Sequence, residues 1–493
     1  MRRFFVKNIL FVIAVNVLVK PIWVFFIDRT VQNTVPAASY GTYQALISLA
    51  IIFQTVLDFG ISSYNTRSIS RDPEQLPILF PSMLSARLVL MGFYMALAFT
   101  WAYMLGYRGW ELSLLCGVLL IQSLSALVSF IRSNIAALHR FKTDGLISIT
   151  DRLLMILICG FLLVYPPTAQ HFKIEWFVIT QIFCYFIAAV VGYVILRRIG
   201  KVHLKFTFDA GSIFKIIRQS FPYALLIFLM SVYNRADAII IERMCPDGKS
   251  QAGIWAAAFR LLDMINILGL TFATMLLPIF GRMLAQKDDV QPIVKLCVNM
   301  MLPFSFMVAV ASVFFGGGIM ELLYHKSQLY QSALPTQIEY GLVFIILMCS
   351  FPAWCLMYVY STLLTANGNL KTLNIIAFIG VILNLSLNFY LIPKMEAVGG
   401  ALTSFITQTG LAIAFIICAS RIAKLPFNPR WLLAHAGFLL FIALLAYGIT
   451  RTFHDIHWTI ELSIFGLLSV ASMFMFRFIS VGSIKQLVSS KGG

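Results

Sequence analysis

The chain has 493 residues, 60% of them hydrophobic and only 12% charged, with 43 phenylalanines. That balance excludes a soluble multidomain protein and describes a polytopic membrane protein, all-α in class. The formal net charge of +17 would suggest nucleic acid as partner of a soluble protein, but here it raises the question of which membrane face carries the cations.

From the amino terminus, Asn8 to Ile27 supplies the about 20 apolar residues that cross the hydrocarbon, with Lys20 past the middle and Pro21 beside it. An ionisable group at that depth is a functional candidate, unless its stem snorkels to the outer interface. Pro21 removes a helix hydrogen bond beside the charge, so the helix is expected to hinge there. The basic opening and apolar run imitate a signal peptide, with Val35-Pro36-Ala37 as a cleavage site. The run is too long for such a signal and carries Lys20, so a retained helix is expected.

Polar breaks cut the chain into about fourteen spans, near residues 8–27, 40–64, 82–105, 110–138, 146–165, 174–196, 220–241, 252–281, 293–315, 341–365, 372–392, 398–420, 433–450 and 458–478. With the amino terminus inside, 23 of the 37 Lys and Arg fall in cytoplasmic segments and 8 in outer ones. The positive-inside rule therefore places both termini in the cytoplasm.

The remaining cations lie within spans. Arg87, Arg132 and Arg152 sit within about two turns of a cytoplasmic end, where anchoring competes with a functional role. Lys20, Arg235 and Arg260 lie deeper, and Asp237 and Asp263 stand close in sequence to the last two. The deep charges thus belong to spans one, seven and eight.

Spans one and seven also begin an internal repeat. Gly41-Thr42-Tyr43-Gln44-Ala45 follows the first span and Gly253-Ile254-Trp255-Ala256-Ala257 the seventh, the same Gly-x-aromatic-x-Ala at the start of the next helix. The stretch from Leu138 to Lys142 similarly resembles that from Ala366 to Lys371. Two six-helix halves are expected: an amino-terminal lobe over 1–219, ending in a basic linker from Arg197 to Arg218, and a carboxy-terminal lobe over 220–420. Two further helices over 421–493 fall outside the duplication and either flank a lipid groove or fill out the fold.

Soluble chemistry finds no foothold. Gly248-Lys249-Ser250 lacks the earlier glycine of a phosphate loop, since Arg243 stands there. Eight cysteines form no Cys-x-x-Cys pair, the histidines offer no metal set, and no serine nucleophile motif occurs. Neither an enzyme nor a metal site is expected. Asn384 and Asn388 form an i,i+4 pair in span eleven, read as hydrogen-bonding glue between helices in preference to a sugar contact.

Leu364 to Lys371, Asn384 to Asn388, Leu391 to Pro393 and Val398 to Ala401 together resemble the carboxy half of Wzx-type polysaccharide flippases. These form a branch of the multidrug, oligosaccharidyl-lipid and polysaccharide exporter superfamily. Tyr40 to Tyr43 and Leu57 to Gly60 resemble that branch's second helix, and the resemblance covers roughly 8 to 420. It implies a V-shaped pair of lobes in the bacterial inner membrane that alternately opens to either side. The cargo would be a polyprenyl-pyrophosphate-linked oligosaccharide, moved from the cytoplasmic to the outer leaflet.

On that reading Lys20, Arg235 and Arg260 would bind the pyrophosphate, since a diphosphate in low dielectric needs charged partners. Asp237, Asp263 and Asp58 would serve as charge partners or bind a coupling ion, H+ or Na+; no other cofactor is implied. Membrane lipids and other polysaccharide-assembly proteins are the implied partners, and nucleic acid is not. A lipid II flippase or multidrug antiporter of the same fold remains an alternative, as does a membrane-embedded polymerase or ligase.

Overall fold

A computed structural model describes residues 19, 22–59, 69, 73–138, 140–203, 210–425, 428–452, 456–476 and 478. Every regular element among these residues is helical. Twelve stretches among them are long and apolar enough to cross a membrane. One of the twelve, Leu370–Ile422, contains two expected spans, and the first expected span lies mostly outside the described residues, which accounts for about fourteen.

The first helix runs on past its expected end at Ile27. A π-helical turn, Trp23–Asp28, passes directly into α1, Arg29–Thr34. Pro36 is the true stop: Val35, the residue before it, is extended (φ −87°, ψ 155°), as the proline ring requires. Asp28 therefore lies inside a helix, buried to 3% exposure, and not in an outer loop.

The chain packs as two units, residues 1–253 with 326–328, and residues 254–325 with 329–493. The first contains α2 (Ala37–Phe53), α3 (Leu76–Met104), α4 (Trp110–Ala137), α5 (Phe141–Val164), α6 (Ile174–Gly200) and α7 (Ala210–Met244). Here α6 lies against α4 and α5, α4 also meets α2 and α3, and the π-helical turn rests on α5. The helix α7, first of the expected second half, packs along α2. Then α8, Gly248–Gln286, begins in this unit and continues into the next.

Close backbone approach explains how the repeated glycines are used. A Cβ on Gly41 of α2 would collide with the carbonyl oxygen of Lys249 and lie 2.8 Å from the nitrogen of Gly253 on α8. Gly253 in turn faces the carbonyl of Ala37, and its own carbonyl accepts a hydrogen bond from Gln32 Nε2 at 3.1 Å.

The second unit is organised on α9, Gln291–Tyr324, which packs on α10 (Leu334–Cys349), α11 (Phe351–Ala366), α13 (Pro429–Thr452) and α14 (Trp458–Met475). One expected span is broken into α10 and α11 at Ser350, where Pro352 in the first turn of α11 has no N–H to give. The long α12, Leu370–Ile422, is two helices joined at Glu396 (φ 51°, ψ −128°). It folds back on itself: the backbone of Leu391 lies against Gly399, and the side chain of Leu411 against Gly380.

The two helices expected to fall outside the duplication belong to this unit's core. Phe438, Ile442 and Ala446 of α13 and Phe465 of α14 bury with Met307, Val310 and Phe315 of α9. Lipid is as apolar as these side chains, so the association rests on shape-matched packing and not on expulsion of water.

Candidate functional site

In the first unit the π-helical turn carries two side chains into a polar seam. Trp23 stacks on Phe177 of α6, with centroids 5.8 Å apart, and Asp28 Oδ2 accepts a hydrogen bond from the Tyr40 hydroxyl at 3.2 Å. Tyr43, one helical turn from Tyr40, accepts from Gln181 Nε2 at 2.8 Å and meets Phe177 edge-on. Across the seam Arg152 of α5 donates to the Tyr185 hydroxyl at 3.2 Å, lies 3.6 Å from Asp151 Oδ2 and sits 5.3 Å from the Trp23 ring.

Two buried acids, an arginine and aromatic hydroxyls drawn from four helical elements are costly to bury in a membrane, which makes the seam a candidate site. Of this group only Arg152 was legible as a candidate. Asp28 escaped because the span was ended at Ile27, yet the absence of Gly or Pro between Ile22 and Val35 was the available signal that the helix continues.

Asp58 and Arg87, chosen for separate roles, form one ion pair. Asp58 follows the single 3-10 turn that ends α2, and Arg87 is on α3; Arg87 also donates to the Ala126 carbonyl at 3.2 Å and lies over the Phe130 ring. Its side chain is 3% exposed and that of Asp58 39%. Arg132 grips Asp144 through Nε at 2.8 Å and a second, 3.5 Å bond, clasping the corner between α4 and α5.

The deep candidates are placed one unit at a time. Lys20 and the hinge Pro21 lie outside the described residues. On α7, Arg235 is half-buried and Asp237 fully buried. On α8, Arg260 and Asp263 are both half-buried and, three residues apart, share a face. Asn266, buried one turn further, extends that face into a polar stripe that sequence reading overlooked. Asn384 and Asn388, both fully buried, bond to each other at 3.0 Å along a single helix.

A second charged cluster closes the corner between α7 and α8. Arg243 reaches Glu242 at 3.1 Å and Glu111 at 3.2 Å, Lys249 reaches Glu111 at 2.8 Å, and the Tyr107 hydroxyl donates to Glu242 at 2.6 Å. The Arg243 guanidinium lies 3.4 Å from the centre of the Tyr107 ring. Burial, and then the Glu242 carboxylate, hold the Tyr107 phenol well above its ordinary range, so it stays a donor. With the amino terminus inside, Arg243 and Lys249 fall among the eight cations of the outer segments.

The family described as "Polysaccharide biosynthesis protein" matches residues 5–284, more than half of the chain. Among solved structures the chain is similar to the lipid II flippase MurJ in its inward closed conformation, with a TM-score of 0.71 at 15% identity over 96% of this chain and 98% of that one. It is also similar to an inward-facing multidrug resistance MATE family transporter of the MOP superfamily, with a TM-score of 0.63 at 13% identity over 83% and 98%. A MOP superfamily transporter from Pyrococcus furiosus gives 0.54 at 12% identity over 85% and 94%. A comparison with curated proteins gives no match. At these identities the structural likeness establishes the fold.

Proposed function

Because the chain belongs to the polysaccharide biosynthesis protein family, we propose that it is a Wzx-type flippase of the bacterial inner membrane. It carries a polyprenyl-pyrophosphate-linked oligosaccharide from the cytoplasmic to the outer leaflet by alternating access, with both termini in the cytoplasm. One coincidence carries this reading: a chain of that family has, over nearly its whole length, the fold of a protein named as a lipid II flippase.

The chemistry of the chain supports it. A pyrophosphate leaving water needs charged hydrogen-bond donors, and Lys20, Arg235 and Arg260 are the deep cations available. Asp237 and Asp263 offset the charge of the two arginines within the span, and one of them is the candidate site for a coupling H+ or Na+. Lipid II as the cargo is the second reading, favoured by the 96% coverage of this chain in the MurJ likeness.

The test expresses each variant in a strain lacking its own flippase, confirms membrane levels and measures lipid-linked glycan in the outer leaflet. Lys20→Arg is expected to retain transfer where Lys20→Met weakens it, and Lys20→Met with Arg235→Met to abolish it. Full transfer by the double variant at normal levels would remove the cations from the mechanism. Rescue of a strain lacking its lipid II flippase, without transfer of the other glycan, would establish the second reading.

A further inference from the structure

We propose that the second unit holds one anionic phospholipid, of the phosphatidylglycerol class, in a groove walled by α9, α11, the second half of α12 and α13. Two cavities in this unit make the groove. One, of about 230 Å³, is lined at its polar end by Gln291, Lys295, Asn428, Trp431 and His435. The other, of about 530 Å³, is lined almost wholly by apolar side chains, among them Phe306, Val310, Val313, Phe314 and Ile413. Leu302, Leu356 and Ile416 line both, so the two cavities adjoin at these side chains.

The polar end is built for an anionic headgroup. Lys295 is exposed there, and the amino terminus of α13, with its positive dipole end, begins at Pro429 beside Asn428. Arg421, Lys424 and Arg430 flank it in sequence and are exposed, on the face where the positive-inside count puts the cytoplasm. Basic pockets between helices on that side suit anionic lipid heads. Trp431 is fixed as a wall by donating Nε1 to Asn299 at 2.6 Å.

His435 supplies an independent observation. It is 3% exposed and lines the cavity, and its Nδ1 donates to the Trp431 carbonyl at 2.9 Å. Its Nε2 is buried without a hydrogen-bond partner among the described residues. With Nδ1 carrying the proton, the neutral ring presents Nε2 as an acceptor. Nε2 is closed off in this conformation, with the ring 4.4 Å from that of Phe478, so a glycerol hydroxyl of the headgroup would reach it on rotation of the imidazole.

The length of the apolar part suits an acyl chain of a phospholipid and not a polyprenyl chain. From Leu302 to Phe314 the α9 wall of the cavity rises about 18 Å at 1.5 Å per residue, close to the roughly 15 Å hydrocarbon depth of one leaflet. One acyl chain fills that; a polyprenyl chain, several times longer, does not fit within it. Val313 and Ile413 are about half exposed, so the groove has a side opening through which a chain can enter.

The experiment uses the full chain in detergent micelles and native mass spectrometry, with dioleoylphosphatidylglycerol, dioleoylphosphatidylcholine and undecaprenyl phosphate added at equal concentration. The wild type is expected to retain one phosphatidylglycerol in preference to the other two. Lys295→Gln should weaken retention about fivefold, the worth of one lysine near a membrane surface, and Val310→Trp should abolish it by filling the groove. If Val310→Trp does not fold, Val313→Trp at the half-exposed rim reads the same effect. Equal retention of phosphatidylcholine, or retention unaffected by both Lys295→Gln and the tryptophan variant, overturns the proposal. Displacement by undecaprenyl phosphate overturns it too, giving the groove to a polyprenyl lipid. Lipid retention is read without transport, so this result and that of the flippase assay stand independently.

Discussion

Gly41 and Gly253, the first residues of the two copies of the repeated Gly-x-aromatic-x-Ala motif, lie against each other, backbone to backbone, where α2 crosses the start of α8. A repeat legible only as a weak pattern is thus a packing device, because a side chain on Gly41 would occupy the space of the Lys249 carbonyl. Gly41→Val is expected to cost at least about 1–3 kcal/mol, the usual penalty of overpacking, and more because the obstructing atoms are backbone. Gly92→Ala, with open space around it, is the control. Thermal unfolding of both in detergent checks this: equal midpoints would mean that the helices separate freely.

The Asp58–Arg87 pair is unequally exposed, and that sets an order of effects. Asp58→Asn leaves a 3%-exposed guanidinium without its counter-charge, whereas Arg87→Met leaves a carboxylate that is 39% in contact with solvent space. Asp58→Asn is therefore expected to destabilise more than Arg87→Met. Both should stay below the about 3–5 kcal/mol seen on breaking fully buried pairs. The order of the two unfolding midpoints decides it.

Tyr107 gives a pH dependence with a definite sign. Its phenol is raised in the folded protein, so its contribution is complete below the unfolded value of about 10 and is lost as pH rises above it. Tyr107→Phe should lose stability less steeply than the wild type between pH 9 and 11, as approximate limits set by that value. Parallel stability–pH curves would show that the Tyr107–Glu242 bond does not couple to folding.

Glu396 occupies backbone space suited to glycine, at φ 51° and ψ −128°. Glu396→Gly is expected to stabilise the hairpin of α12 by about 1 kcal/mol, since a non-glycine residue held in such a region costs of order 1–3 kcal/mol. An unchanged or lowered midpoint would mean that the glutamate side chain contributes more than the strain removes.

Asp28 is the acid most deeply placed in the seam of the first unit, and Asp28→Asn removes its charge while keeping its shape. Transfer of lipid-linked glycan is expected to fall by at least about tenfold at normal membrane levels, the usual scale for a displaced buried polar partner. Tyr40→Phe, which removes the hydroxyl bonded to it, should fall less. Undiminished transfer by Asp28→Asn would make the seam purely structural.

Much of the fold was legible because bilayer thickness sets a minimum length for every span. The break at Glu396 also fell where polar residues interrupt the apolar run. What escaped was geometry set by neighbours. Asp28 looked like a loop residue because charge alone marked the helix end, although only Pro36 has a physical reason to stop the helix. Asp58 and Arg87 are 29 residues apart, and no local period announces that they meet. The asparagines of span eleven were legible as a pair on one face, and they bond to each other along that face.

The ion pair between α2 and α3 also bears on how the chain enters the membrane as it is made. Asp58 is synthesised first, and until Arg87 emerges its carboxylate, at the end of α2, lacks that counter-charge, at a cost below the about 2.5–3.5 kcal/mol of an ionised side chain at mid-helix. Once the arginine arrives, the two charges can leave the insertion channel together. The natural unit of insertion is then α2 together with α3, and a ribosome stalled with Arg87 still inside its tunnel should leave α2 accessible to the aqueous channel.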